Sequence, residues 1–203
     1  MFPARIETDR LVMEAARPGA VDVLAFYRIC SGDDAETVTE YVTWEPHAHP
    51  KETLELLERT AEQRADGTGA QYVVRPAEGE AGAGEIAGMT GLTVEWDRSL
   101  AEPGIWLRPQ FWGRGYAGER ADALLALAFE RLDLDCVAVK VAAGNENSRR
   151  AVEKYVDRHG GRYEGLLRHA DAWDGDPVDL HRFSVSRAEW AAADGAVTAV
   201  TLA

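Results

Sequence analysis

Lysine and cysteine are scarce in this sequence, and no apolar run reaches the length of a membrane span. The chain has 22 Lys and Arg against 35 Asp and Glu, a formal net charge of -13, and its only lysines are Lys51, Lys140 and Lys154. Such an acidic protein is a poor nonspecific ligand for nucleic acid or an anionic membrane. The excess of acid over lysine also predicts a halophilic-like acidic surface, which would keep the protein solvated in high salt.

The two cysteines, Cys30 and Cys136, are too few for a disulfide framework. Each lies in an apolar stretch, so we expect both side chains to be buried and reduced. Residues 1–5 lack the apolar core of a signal peptide. The sequence therefore predicts a cytoplasmic protein that neither crosses a membrane nor binds nucleic acid.

The chain length of 203 residues suits one compact domain. We assign residues 1–190 to this domain and residues 191–203 to a C-terminal tail. Most of the tail is small or polar, but residues 197–202 could form a stray strand or be disordered. The sequence does not indicate an oligomeric state, and we expect a monomer or a homodimer.

One stretch, residues 104–117, organises the pattern of the chain. Residues 105–107 are typical of a strand, Pro109 ends it, and Gly113 and Gly115 precede a helical pattern. Glycines let the backbone approach a ligand closely, and a helix N-terminus offers N–H groups and partial positive charge. This stretch predicts an anion cradle that suits a pyrophosphate.

Residues 113–118 also match the G-x-G-x-x-G dinucleotide fingerprint, but they fit it poorly. In that fingerprint the glycines follow the strand directly and an acid ends the next strand. Here residues 108–112 intervene, and Asp133 and Asp135 precede the next strand. A Walker A loop is excluded because no Gly-Lys-Ser/Thr follows the glycines. On the glycines alone, an ordinary glycine-rich turn stays open as an alternative.

A third interpretation rests on many more residues. The pattern Gln110-x-x-Gly113-x-Gly115-x-Ala117 resembles the pyrophosphate loop of the GCN5-related N-acetyltransferase (GNAT) family. Over about residues 5–190 the chain is similar to the RimJ/RimL-like branch of that family. The segments that carry the similarity are Thr8 to Leu11, Trp44-Glu45-Pro46, Ala101 to Tyr116, Asn145 to Ser148, Glu153-Lys154, Glu164 to Arg168, Asp174-Gly175 with Asp179, and Glu189-Trp190.

The resemblance implies a single-domain α/β (α+β) GNAT fold. Its mixed, mostly antiparallel sheet would have about six to seven strands, flanked by helices, with a splayed central pair at residues 101–107 and 136–142. Periodicity predicts helices at residues 18–30, 33–42, 51–64, 116–131 and 148–158. Further strands are expected at residues 10–15, 71–75, 84–95, 162–168 and 178–185.

The resemblance also implies a reaction, the transfer of acetyl from acetyl-CoA to an amine by direct attack in a ternary complex. The acceptor could be a protein N-terminus of the ribosomal-protein type or a small amine. The alternative is a non-catalytic acetyl-CoA-binding sensor on the same fold. No metal is expected, because the pair His47 and His49 stands alone in a proline-bounded loop.

For acetyl-CoA, the resemblance implies binding by the loop and by the start of the last long helix. The residues are Leu107, Gln110, Gly113, Arg114, Gly115, Tyr116, Ala117, Asn145 and Ser148. A backbone N–H near Leu107 would polarise the thioester carbonyl. Arg149, Arg150 and Lys154 could add positive charge near the phosphates, and Trp44 and Trp106 are expected beside the acceptor.

Three residues are candidates for proton transfer. Ser148 aligns with a serine that can protonate the departing thiolate in this branch, although Asn147 or Ser148 would also suit a helix N-cap. Asp171 lies where the branch has a carboxylate, and Glu102 leads the central strand, so either could be the base. Each acid could instead be a solvated surface group. Between Lys154 and Glu164 the chain is longer than is usual in the branch, by about one helical turn.

Overall fold

The protein is built on one sheet with helices on both faces, as seen in a computed structural model that describes residues 1–173, 175–193 and 200–203. Within those residues the nine strands follow the order β7-β8-β6-β5-β4-β3-β2-β1-β9. Neighbouring strands are antiparallel except β5 and β6, which confirms the mixed, mostly antiparallel sheet. The strands are β1 (Arg5–Glu7), β2 (Leu11–Ala15), β3 (Gly69–Pro76), β4 (Gly88–Glu95), β5 (Leu100–Leu107), β6 (Cys136–Ala142), β7 (Arg162–Trp173), β8 (Asp176–Ser186) and β9 (Thr201–Leu202).

The sheet has more strands than the six to seven expected because two short strands extend one edge. β1 has 3 residues and β9 has 2, and they pair with each other beside β2. Strands this short show no period of two in the sequence. Residues 194–199 and Asp174 lie outside the described residues. The prediction for residues 197–202 can therefore be compared with the structure only at residues 200–202.

Six helices flank the sheet in the described part of the chain. They are α1 (Val23–Cys30), α2 (Ala35–Thr39), α3 (Pro50–Ala65), α4 (Tyr116–Ala126), which continues as a π-helical turn (Leu127–Arg131), α5 (Glu146–Arg158) and α6 (Arg187–Ala192). α1 begins later than the predicted residue 18. The Asp22 side chain accepts a hydrogen bond from the Ala25 N–H and caps the helix, while Pro18 bridges to Val21.

Two apolar clusters hold the helices against opposite faces of the sheet. On one face α4 and α5 bury Leu124 and Val156, and on the other α1 and α3 bury Phe26 and Leu57. Cys30 is buried as expected, whereas Cys136 is only half-buried; both are free thiols. No helix among the described residues is both long and apolar enough to cross a membrane.

The central strands β5 and β6 separate after a short contact. In the described chain they pair only at Leu100 with Cys136 and Ala101 with Val137, while β5 stays paired with β4 as far as Leu107. Pro103 is the next residue whose backbone would face β6, and proline has no N–H to continue the ladder. We call the resulting opening the β5–β6 gap, and it is the splayed pair that the resemblance implies.

Candidate active site

The edge of β5 that faces the β5–β6 gap carries unpaired backbone donors. The Arg108 N–H donates to the Ala87 carbonyl at 2.8 Å, on the β4 side of the strand. Backbone groups of successive strand residues point to opposite sides, so the N–H groups of Ile105 and Leu107 point into the gap. The Leu107 carbonyl on the same side accepts the indole N–H of Trp112 at 2.7 Å. On the gap side of β5, the N–H groups of Ile105 and Leu107 are therefore available to a ligand, whereas the Leu107 carbonyl already accepts a hydrogen bond.

The loop predicted to be an anion cradle lies at the N-terminus of α4, beyond the end of β5, and we refer to it as the cradle. Gly113 and Gly115 have φ of +73° and +82°, a conformation that only glycine adopts without strain, and Gly115 is the N-cap residue of α4. A Cβ at Gly113 would meet nothing within 4 Å, so its surface stays open to a ligand. The free N–H groups of the first helical turn point at this opening.

An ion pair that the sequence analysis missed fixes the back of the cradle. Arg10 donates from Nη1 to the Arg114 carbonyl at 3.0 Å and from Nε to Glu119 at 2.7 Å. Glu119 is buried and also accepts the Thr8 hydroxyl at 2.6 Å and the Arg10 backbone N–H at 2.7 Å. No local pattern marks Arg10 as a site residue, because its partner Glu119 lies 109 residues away in the sequence.

Three predicted cradle side chains make contacts with the protein itself. Arg114 donates to the Ala81 carbonyl at 2.8 Å and lies over the Phe111 ring. Gln110 lies between Arg108 and Glu85. The Tyr116 hydroxyl donates to Glu80 at 2.7 Å, and burial, followed by that hydrogen bond, raises the pKa of this phenol. Tyr116 therefore presents its backbone N–H, rather than its hydroxyl, to the cradle.

The start of α5 corrects one prediction about Ser148. The N-cap of α5 is Asn145, whose side chain accepts the Ser148 N–H at 3.0 Å, so neither Asn147 nor Ser148 is the cap. The helix begins earlier than predicted because an asparagine directly after a tight turn satisfies an orphan N–H of the first turn. The Ser148 hydroxyl is half-buried and makes no hydrogen bond within the described residues. It is thus free for another partner.

The structure separates the two candidate bases. Glu102 lies on β5 beside the closed end of the gap and pairs with Lys140 of β6 at 2.7 Å. Asp171 is exposed near the tip of the β7–β8 hairpin, where it accepts the Ala172 N–H at 2.8 Å and the Trp173 indole at 3.2 Å. Asp171 is therefore tied to its own hairpin, while Glu102 borders the gap.

The predicted positive charges on α5 are mostly engaged with neighbours on the helix. Arg149 pairs with Glu153 at 3.0 Å, and Arg150 donates to Asn147 at 2.7 Å. Lys154 is exposed. These contacts lie along the helix surface, so a role near the phosphates would require their side chains to exchange partners.

A cavity of about 520 Å³ opens on the other face of β5, between that strand and α3; we call it the Trp44 pocket. Trp44 and Trp106, the two residues predicted to lie beside an acceptor, both line it, with ring centroids 5.2 Å apart. The indole N–H of Trp44 is buried without a partner in the described chain. Gly104 forms part of the floor, and a Cβ there would meet nothing within 4 Å.

Two polar residues of the Trp44 pocket were not predicted as site residues. His47, considered only as half of a metal pair, accepts or donates through Nδ1 to the Thr53 hydroxyl at 2.7 Å. Burial lowers the pKa of this imidazole, with Glu52 opposing and Arg59 adding to the shift. Arg59 also lines the pocket. No local motif marks Arg59, because only the packing of α3 over the sheet brings it to β5.

The comparison with known proteins agrees with this architecture. A family model described as an acetyltransferase (GNAT) domain matches residues 10–155. The uncharacterized N-acetyltransferase p20 of Bacillus licheniformis is 25% identical over 185 residues, 91% of this chain and 97% of the relative. The putative ribosomal N-acetyltransferase YdaF of Bacillus subtilis (strain 168) is 34% identical over 108 residues, 53% of this chain and 57% of the relative.

The crystal structure of a GCN5-related N-acetyltransferase from Brucella melitensis superposes with a TM-score of 0.76 at 23% identity, covering 93% of this chain and 80% of that one. Since the family model matches well over half of the chain, the protein belongs to the GNAT family of acetyl-CoA-dependent N-acetyltransferases.

Proposed function

We propose that this enzyme acetylates an amine held in the Trp44 pocket, by direct attack on acetyl-CoA bound in the β5–β6 gap. The observation that carries this proposal is the position of Gly104 and Trp106, which lie on one strand with the pocket on its face and the gap along its edge. A strand that borders both spaces can bring the two reactants together in one ternary complex. No covalent enzyme intermediate is needed.

The coenzyme would bind along the gap with its pyrophosphate at the cradle. Backbone N–H groups from Gly113 to Ala117 suit the phosphates, and Arg10 supports them by holding the Arg114 carbonyl away from the anion. Gln110 and Arg114 could contribute through the donors that their present contacts leave free. At the other end Asn145 keeps an amide NH₂ available, since only its oxygen is used in capping.

The chemistry then follows from the groups beside the thioester. The amine nitrogen attacks the carbonyl carbon, and the Leu107 N–H stabilises the oxyanion that forms. A base removes one proton from the ammonium before the attack, because an ammonium has no lone pair. When the C–S bond breaks, the Ser148 hydroxyl donates a proton to the thiolate, and the proton that the attacking nitrogen then loses restores the hydroxyl through solvent.

Three groups are candidates for the base. Glu102 shares the pocket face of β5 with Gly104 but is paired with Lys140. Asp171 would require movement of its hairpin tip. His47 lines the pocket, and its lowered pKa keeps the imidazole neutral at pH 7 and able to accept a proton. Burial raises the pKa of the Cys30 thiol in the same pocket to about 12, so that thiol stays protonated.

Two classes of acceptor are compatible with the proposal, a protein N-terminus and a small amine. One relative is named a putative ribosomal N-acetyltransferase, which supports a protein N-terminus. A cavity of about 520 Å³ also suits a small amine. In both cases the amine would enter beside Gly104, where the floor of the pocket has no side chain.

Calorimetric titration with acetyl-CoA, followed by thiol release with an amine panel, tests the proposal. Gly113→Ala should weaken acetyl-CoA binding by about tenfold or more, because it closes a backbone that must approach a phosphate. Gly19→Ala is the matched control, since Gly19 has φ of +81° and equally open surroundings far from the cradle in sequence. Binding without any thiol release would leave the sensor as the better description.

The same thiol-release assay separates the bases. Of His47→Gln, Glu102→Gln and Asp171→Asn, only the variant that removes the base should lower kcat by about 100-fold or more while acetyl-CoA affinity is kept. Normal turnover in all three would mean that water alone takes the proton.

A further inference from the structure

We propose that the acceptor carries an anionic group, a carboxylate or a phosphate, in addition to its amine, and that Arg59 binds this anion in the Trp44 pocket. The inference rests on the proposed function, because it assigns the substrate class of that pocket. It depends on the charge of the lining, on the free state of Arg59 and on the shape of the floor.

The charge of the pocket is opposite to that of the whole protein. The chain has 35 acids against 22 Lys and Arg, yet none of the described residues that line the pocket is Asp or Glu. Its charged or titratable members include Arg59 and His47. The acid on the same face of β5, Glu102, is neutralised by Lys140 at 2.7 Å. An acceptor with a second positive charge would meet no partner here.

Arg59 is free to bind a ligand. It makes no ion pair and no hydrogen bond with any residue that the structure describes. On α3, Glu55 pairs with Lys51 at 3.3 Å and Glu52 accepts the Ala48 N–H at 2.7 Å. The exposed Glu58 and Glu62 make no ion pair with Arg59 within the described residues. By contrast, Arg64 on the same helix donates to the Phe2 carbonyl at 2.7 Å. A guanidinium without a protein partner is well suited to a carboxylate or phosphate.

The shape of the pocket offers separate positions for the amine and for the anionic group of the acceptor. Gly104 leaves room for an amine beside the strand that borders the gap. Opposite it on β4 is Gly91, where a Cβ would be 2.3 Å from the Gln71 Oε1, so the Gln71 amide lies over this glycine. Trp44 and Trp106 supply apolar surface along the wall. The pocket thus offers an amine position, an apolar wall and a cation.

The free state of Arg59 also argues against simple polyamines as acceptors. A diamine would place its second ammonium near the exposed Arg59 guanidinium, and like charges repel each other. An amino acid, an amino phosphate, or a peptide N-terminus with an acidic residue would instead place an anion there. These sources share one chemistry, and matched probes can tell them apart.

The inference is tested by titrating the whole protein with matched pairs of amines and measuring binding by the change in tryptophan fluorescence. The small-molecule probes are L-phenylalanine against phenethylamine and O-phosphoethanolamine against ethanolamine. The peptide probes are alanyl-aspartate amide against alanyl-asparagine amide. In at least one arm the anionic member should bind about tenfold tighter than its neutral partner, as expected for one charge-assisted contact. The arm that shows the preference identifies the source of the anion.

Variants of α3 assign the preference to one residue. Arg59→Gln should reduce the ratio within each responding pair to about one, and Arg59→Lys should keep most of it. Lys51→Gln is the matched control, because Lys51 is an exposed cation on the same helix that already has a partner in Glu55. Lys51→Gln should leave the ratio unchanged.

Equal binding within every pair, no measurable binding of the anionic members, or a preference that survives in Arg59→Gln would each overturn the inference. The readout does not depend on turnover. A protein that selects phenylalanine through Arg59 but releases no thiol from acetyl-CoA would therefore refute the proposed function and leave this inference standing.

Discussion

The ring of Tyr41 lies against Gly144, where a Cβ would be 3.3 Å from the Tyr41 Cε1. Tyr41 precedes the loop that carries Trp44 and His47, and Gly144 lies in the turn between β6 and α5. This contact therefore links one wall of the Trp44 pocket to the element that presents Asn145 and Ser148. The two sides of the candidate site are therefore joined by a packing contact outside the sheet as well as through β5 and β6.

Removing the Tyr41 ring should loosen the pocket and leave the cradle intact. We expect Tyr41→Ala to raise the KM for the acceptor by about five- to tenfold, with acetyl-CoA affinity unchanged, because a side chain that orders a loop reduces the cost of binding. Steady-state kinetics with calorimetry separates the two effects. Tyr27→Phe, which removes a hydroxyl bonded to the Ala48 carbonyl at 3.2 Å, is a control on the other side of the loop. An equal loss of affinity for both substrates would contradict this role.

Filling the floor of the pocket should block the acceptor without harming the fold. Gly104 lies within β5 and has ordinary strand geometry, so a β-branched residue suits its backbone. Gly104→Val should lower kcat/KM for the acceptor by about 100-fold and Gly104→Ala by less, since side chains of increasing size occupy the open space. The thermal midpoint should stay within a few degrees of the parent. Parent-like kinetics in both variants would place the acceptor elsewhere.

Ser148 and Asn145 have separate tasks at the start of α5, and their alanine variants should differ. Ser148→Ala should lower kcat and leave stability unchanged, because the hydroxyl makes no hydrogen bond within the described protein. Asn145→Ala should reduce the free energy of unfolding by about 1 kcal/mol, the usual cost of losing an N-cap. Denaturant unfolding and thiol release measure the two quantities. A Ser148→Ala enzyme with parent kcat would remove that residue from the mechanism.

The ion pair between Arg10 and Glu119 should couple stability to coenzyme binding. Glu119→Ala removes a buried carboxylate that accepts three hydrogen bonds, so it should reduce the free energy of unfolding by about 2 kcal/mol. Arg10→Met leaves the buried Glu119 carboxylate without its cation, so it should cost about 3 kcal/mol. It should also weaken acetyl-CoA binding, because it frees the Arg114 carbonyl to turn toward the phosphates. Unfolding curves and calorimetry test both variants. Undiminished acetyl-CoA affinity in Arg10→Met would show that the cradle needs no support from β2.

Acid should destabilise the protein partly through Glu189. Hydrogen bonds from Arg162 and Ser186 hold the pKa of this carboxyl at about 2, below its ordinary value of 4.5. Because the folded pKa is depressed, the stabilisation is complete above the unfolded pKa and is lost as pH falls from about 4.5 through about 2. Glu189→Gln should flatten the stability profile in that window and cost about 1 kcal/mol at pH 7. An unchanged slope below pH 4.5 would assign the acid sensitivity to other carboxylates.

Much of the fold and the cradle could be predicted from residues 104–117 and from local periodicity. Glycine at Gly113 and Gly115 allows the left-handed turn whatever surrounds it. β6 was predicted with its observed bounds because its residues are apolar except Lys140, and such a run is typical of a buried strand. The gap between β5 and β6 also follows from a local cause, since Pro103 has no N–H for the ladder.

The sequence alone could not decide contacts that join distant segments. It did not mark β1 and β9, whose few residues become strands only because each gives the other an edge. It placed the α5 cap at Asn147 or Ser148, because the competition among three polar residues was settled by how the turn leaves β6. It also gave no sign of Arg59 as a pocket residue or of Arg10 as the support of the cradle.

Local sequence thus determined the longer strands, the long helices and the glycine turn of the cradle, because turn geometry and apolar periodicity depend on neighbours within a few residues. Tertiary structure decided which side chains were left without partners. Arg114, Gln110 and Asp171 are engaged with the protein, while Arg59 and Ser148 make no hydrogen bond among the described residues. The reason is physical: a side chain is free only where the fold brings no complementary group within reach, and that depends on the whole fold.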